Sequence, residues 1–253
     1  MLIKMTIFML IQPVDILKKS WQIFKVNWQE FTKVTAWLVV LAVLSALLSY
    51  FDKVTLFMFV SYTFPIYLLI SALVFVFGLW VNIVLARMIW SALHQLPLER
   101  RKLAHDSWRD TVSYLWVSIL VGVIVTVGTI LFIVPGVIFG IWYSFAALIF
   151  VLEGVKGYEA LKKSKILVQG KFWLVVWRWA VPFFVYSLIL VVIIGLPTLL
   201  VGALTQWDAF KDFTANNQPW WFQLIQSVVT VLTLPLSTGF GVVLYSSLKQ
   251  EAK

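Results

Sequence analysis

"GYEALKKSKILVQGKFW", residues 157–173, stands between two long apolar runs. With Lys156 just before it, this stretch holds five of the chain's twenty lysines and arginines. A related phrase, "VDILKKSWQIFKVNW", occupies residues 14–28. At an offset of 144 positions Asp15 falls on Glu159, Leu17 on Leu161, Lys18-Lys19-Ser20 on Lys162-Lys163-Ser164, and Val26 on Gly170. Each copy runs directly into an apolar segment. In the first copy Val14, Leu17, Trp21, Phe24, Trp28 and Phe31 recur in steps of three and four, which is one face of a helix. Lys18, Lys19 and Lys25 lie on the other face. A helix of this kind lies in the membrane interface, with its aromatics in the acyl boundary and its lysines among headgroups. Both phrases are therefore expected to be elbows, at about 14–31 and 157–170, interfacial helices that turn into membrane-spanning ones. The matches are few, so an internal duplication and convergence on one amphipathic pattern both explain them.

The composition requires a membrane. Of 253 residues 62% are hydrophobic and 12% charged, where a soluble domain is about half apolar and about a quarter charged. The apolar residues come in runs near the roughly 20 residues that cross a bilayer as a helix. Six spans are expected, at about 34–50, 64–90, 111–134, 136–152, 172–200 and 221–246, with an interfacial stretch from Thr55. Pro135-Gly136 reads as a tight turn between the third and fourth spans. Gly136, Gly140 and Ser144 then form a small-residue stripe of the kind that lets helices approach closely in lipid. The N-terminal "MLIKMTIFMLIQP" has the apolar length of a signal segment but no small-residue cleavage site, and is expected to be retained.

The net charge of +9 is spread over short segments between the spans, so it orients the chain and offers no basic domain for nucleic acid. With six spans nearly all lysines and arginines fall on one side; Lys53 and Lys211 fall on the other. The expected fold class is thus an all-α membrane protein of six transmembrane helices with amphipathic elbow helices on the cytoplasmic side. It forms one polytopic domain over 1–253, multi-pass in the cytoplasmic (inner) membrane, with both termini cytoplasmic.

"IVPGVIFGIWYSFAALIFVLEGVKGYEALKKSKILVQGKFW", residues 133–173, resembles the signature stretch of a broad group of bacterial six-span proteins. The group includes the membrane domain attached to some glycerophosphoryl diester phosphodiesterases, together with related uncharacterised families. "ILKKSWQIFKVNW" and "LPLSTGFGVVLYSSLK" are similar to the ends of such domains. The resemblance implies a membrane domain without the phosphodiesterase activity, since no polar stretch here could hold the hydrolase barrel.

Few residues carry chemistry. Cysteine is absent, which removes thiolate ligands and thiol nucleophiles. His94 and His105 lie in one charged segment and read as solvated or headgroup-facing. No Ser/His/Asp set or phosphate-cradling glycine loop is visible. Neither catalytic, cofactor-binding nor metal residues are therefore expected. Four polar residues lie in or at the ends of spans: Asn82, Arg87, Glu153 and Arg178. Asn82 is expected to bond across to another helix, and Glu153 to pair with Arg87 or Arg178, because an unpaired charge there is costly. Pro182, Pro197 and Pro235 are expected to kink or break the fifth and sixth spans. Lys18, Lys19, Lys25, Lys162, Lys163 and Lys165 are the candidates for anionic phospholipid headgroups. The function expected is non-enzymatic: organising lipid or partner proteins at the bilayer. The alternative is a transporter or lipid-handling carrier with a site between the spans.

Overall fold

The structure, a computed structural model, describes residues 12–54, 63–205 and 219–251. The N-terminal apolar segment up to residue 11 and the interfacial stretch from Thr55 lie outside them. The described residues form helices and no strand: α1 Pro13–Val54, α2 Thr63–Leu93, α3 Arg100–Leu131, α4 Ile133–Trp142, α5 Ala146–Glu153, α6 Gly157–Val168, α7 Phe172–Thr205 and α8 Trp220–Glu251.

Five segments are long and apolar enough to cross a membrane: Leu68–Leu93, Arg100–Leu131, Ile133–Glu153, Phe172–Leu204 and Trp221–Glu251. The most apolar stretch of α7 buries none of its residues against the rest of the protein. Apolar surface on that scale needs lipid to cover it, so the chain is membrane-embedded. The expected first span, 34–50, lies within α1 and runs partly outside the described side chains.

Helix α8 is the centre of the bundle. Phe240, Val242, Val243, Leu244, Tyr245 and Leu248 are all buried, and α1, α2 and α7 pack around it. Its "LSTGFG" segment is a close-packing surface. A side chain at Gly239 would meet Ser20 of α1 at 3.4 Å, and one at Gly241 would meet Leu148 of α5 at 3.4 Å.

Three expectations need correction. The turn between the third and fourth spans falls at Phe132, whose backbone is extended, and not at Pro135-Gly136. Pro135 sits in the first turn of α4, where helix amides have no acceptor to lose. Gly136 faces back onto α3: a Cβ there would come within 2.8 Å of the Thr129 backbone. The prolines do not interrupt their helices, since α7 runs through Pro182 and Pro197 and α8 through Pro235. The fourth span is the one that breaks, between α4 and α5 at Tyr143–Phe145, without proline or glycine. The break is held from outside: the Ser164 hydroxyl of α6 donates to the Trp142 carbonyl at 2.7 Å and accepts from the Phe145 amide at 3.2 Å. Backbone groups freed in an apolar bundle need such partners.

The two elbow phrases diverge in one respect. The second is a separate helix, α6, which ends before Gly170, and Gly170 takes the left-handed φ of +80°. The first has Val26 at that position, and a β-branched residue resists left-handed backbone. Accordingly α1 has no elbow and continues unbroken through it. Its expected apolar face also splits: Phe31 is fully buried, whereas Trp21 is 54% and Trp28 51% exposed. The face turned to the bundle is Ile16, Ser20, Phe31, Val34, Thr35 and Leu38. At the same offset of 144 in the second copy stand Ala160, Ser164, Val175, Arg178, Trp179 and Pro182, all buried except Trp179, which is half-buried. The repeat thus extends from sequence into burial register.

The aligned serines separate a bonded hydroxyl from an orphan one. Ser164→Ala leaves two backbone groups without partners and is expected to cost about 1–3 kcal/mol. Ser20 is buried with its hydroxyl unpaired, so Ser20→Ala should leave stability unchanged or raise it. Thermal unfolding in detergent compares the two; equal losses would refute the role given to Ser164. By the same assay Gly136→Ala should destabilise by about 1–3 kcal/mol through overpacking. Gly140→Ala, which meets nothing within 4 Å, should be neutral.

Candidate functional site: charged clusters at the helix ends

Glu153 closes α5. A carboxylate at a helix C-terminus faces the negative end of the helix dipole, so it needs cations, and three groups converge on it. Lys249 Nζ and the Tyr245 hydroxyl, one turn apart on α8, both donate to Oε1 at 2.6 Å. Lys163 Nζ of α6 donates to Oε2 at 3.1 Å. Lys249 also lies 5.7 Å from the ring centre of Trp90 on α2, and that ring stacks on His94 at 4.0 Å. Gly154, with φ +72°, ends α5 just after the carboxylate.

Both arginines expected as partners of Glu153 are engaged elsewhere. Arg87 of α2 pairs with Asp110 of α3, bonds the Ser107 hydroxyl at 3.0 Å and reaches the Val151 carbonyl at 3.3 Å. Arg178, only 2% exposed, donates from Nη1 to Oε1 of Glu251 at 3.0 Å. Lys171 donates to Oε2 of the same carboxylate at 3.2 Å. The rule that a charge at this depth must be paired therefore holds, with different partners. Asn82 does not reach a second helix; its amide donates to the Gly78 carbonyl of its own helix at 2.9 Å.

Glu153, Lys163, Lys171, Tyr245, Lys249 and Glu251 border one open cleft of about 380 Å³ between α6, the start of α7 and the end of α8. A second cleft, of about 400 Å³, lies at the start of α3, where Arg100 approaches Glu30 of α1 at 3.7 Å. A hydrogen bond from Lys33 holds the Glu30 carboxyl below its usual range.

Of the six lysine candidates, Lys18, Lys19, Lys25 and Lys162 are exposed and carry no ion pair among the described residues. Lys163 is tied to Glu153, and Lys165 lies 4.5 Å over the ring of Trp142. His105 is exposed beside Asp106, remote in role from the stacked His94.

Sequence reasoning missed Asp110, Lys171, Tyr245, Lys249 and Glu251. Asp110 could have been found. Arg87 and Asp110 stand symmetrically about Leu98-Glu99, and an antiparallel hairpin brings such positions level. Residues of α8 had no such signal, because their partners are remote in the chain.

Glu153→Gln removes the negative charge that two lysines share and is expected to lower stability by about 1–2 kcal/mol. Lys163→Gln removes a half-exposed pair and should cost less than about 1 kcal/mol. Thermal unfolding of the two variants tests this order; a larger loss for Lys163→Gln would reverse the assignment of Glu153 as the hub.

A family model described as a domain of unknown function (DUF8558) matches residues 108–215, from the first turns of α3 through α7 and beyond. No curated protein and no solved structure matches the chain.

Proposed function

We propose that the chain is a non-enzymatic multi-pass membrane module that gathers anionic phospholipid, and through it partner proteins, along its lysine-bearing helices. The observation that carries this reading is the set Lys18, Lys19, Lys25 and Lys162. These side chains are exposed and free of ion pairs among the described residues, on helices whose opposite faces are locked into the bundle. Exposed Trp21, Trp28 and Trp173 stand near them in sequence, the pairing of aromatic and cation that suits an interface. Each lysine near an anionic leaflet contributes about 1 kcal/mol. The charge asymmetry between segments supports an orientation with both termini on the cytoplasmic side of the inner membrane. The resemblance to membrane domains of glycerophosphoryl diester phosphodiesterases fits a role at phospholipid.

The cleft beside Glu153 favours a second reading, a carrier that holds a polar headgroup between helices. Substitution of the exposed lysines separates the two. In nanodiscs of phosphatidylglycerol and phosphatidylcholine, native mass spectrometry of the released protein should show phosphatidylglycerol retained by the wild type. The variant Lys18→Gln/Lys19→Gln/Lys25→Gln/Lys162→Gln should lose about fivefold in retention per lysine. Undiminished retention in that variant would refute the surface reading and leave the carrier.

A further inference from the structure

Lys171 stands at the threshold of α7 and Arg178 seven residues on. That spacing is two turns on one helix face, so the two long side chains bend toward one point. The point is occupied by Glu251 of α8, which bonds both, one carboxylate oxygen each. The arrangement is incomplete. Arg178 is 2% exposed and its Nη2 is buried with no acceptor. A guanidinium is a planar fork that matches two oxygens of one anion, and here a single carboxylate is divided between two cations. A tetrahedral oxyanion has enough oxygens to serve Lys171 and both terminal nitrogens of Arg178. Arg178 does not line the open cleft; it reaches it through Glu251, which does, alongside Lys163, Lys171 and Lys249.

We propose that Lys171 and Arg178 form a binding site for a phosphate group, that Glu251 is its resident substitute, and that the phosphate of an incoming ligand displaces this carboxylate. The proposal deepens the reading of the chain as a module for anionic headgroups and rests on it. It differs in using a defined inner site and none of the four exposed lysines.

The test uses the full chain in detergent, with phosphatidylglycerol, phosphatidylcholine and inorganic phosphate as separate probes. Glu251→Gln removes the competing charge and should raise affinity for phosphatidylglycerol about fivefold. Adding Lys171→Gln should cancel that gain. Loss of Glu251 also leaves Arg178 unpaired, so Glu251→Gln should melt lower than the wild type, and phosphatidylglycerol should restore its melting temperature. If Glu251→Gln does not fold, Lys171→Gln alone keeps the Arg178–Glu251 pair and should weaken binding of phosphatidylglycerol. Restoration by inorganic phosphate to the same degree would assign the site to free phosphate; restoration by lipid alone would assign it to a headgroup. Unchanged affinity in Glu251→Gln, a gain that survives Lys171→Gln, or wild-type binding by Lys171→Gln would each overturn the site. Substituting Lys18, Lys19, Lys25 and Lys162 should leave the gain from Glu251→Gln in place. Failure of the surface reading and failure of this site are thereby told apart.

Discussion

Hydrocarbon offers no hydrogen bonds, and the whole bundle is arranged around that lack. Nearly every described charged or polar group that enters it draws a partner from another helix or from its own backbone; the Ser20 hydroxyl, one terminal nitrogen of Arg178 and the Trp179 indole are the buried exceptions. Arg87 takes Asp110, Arg178 takes Glu251, and Glu153 takes Lys249, Tyr245 and Lys163. The open backbone between α4 and α5 takes Ser164. These bonds join helices that apolar contact alone would not order, because lipid tails wet leucine as well as another helix does. Apolar area therefore places the helices in the membrane, and the few polar pairs set which helices meet.

The same logic explains the crowding of charge near one end of the bundle. A carboxylate at the end of α5 is unfavourable on its own helix and tolerable only beside cations. Those cations come from α6 and α8, so the charge that threatens α5 also ties α5 to both of these helices. The cleft forms where these elements fail to close completely. It has lysines on its walls and two carboxylates already engaged, the arrangement on which the proposed phosphate site rests.

The repeated phrase shows how one change of residue redirects a chain. Most positions that α1 buries are buried in the second copy as well, and both place a serine in the core. Gly170 permits left-handed backbone and lets α6 end before α7 begins. Val26 does not, so α1 is a single long helix. The shared pattern was visible from the lysines and the alignment, and Val26 opposite Gly170 was visible with it. What could not be read was which helix face the bundle would claim. Trp21, Trp28 and Phe31 share a stripe in sequence and are divided by the position of α8.

Sequence by itself determined the all-helical class, the membrane, the approximate limits of the long helices and the need to pair each charge at depth. These follow from run length, periodicity and the cost of charge in hydrocarbon, which are local or compositional. Tertiary structure alone decided the partners. Glu153 meets Tyr245 and Lys249, and Arg178 meets Glu251, across most of a hundred residues. No local spacing encodes such contacts; they arise when α8 packs at the centre and brings its last turns against α5 and α7. The break in the fourth span belongs with them, since it carries no proline or glycine and is held by a serine from a later helix.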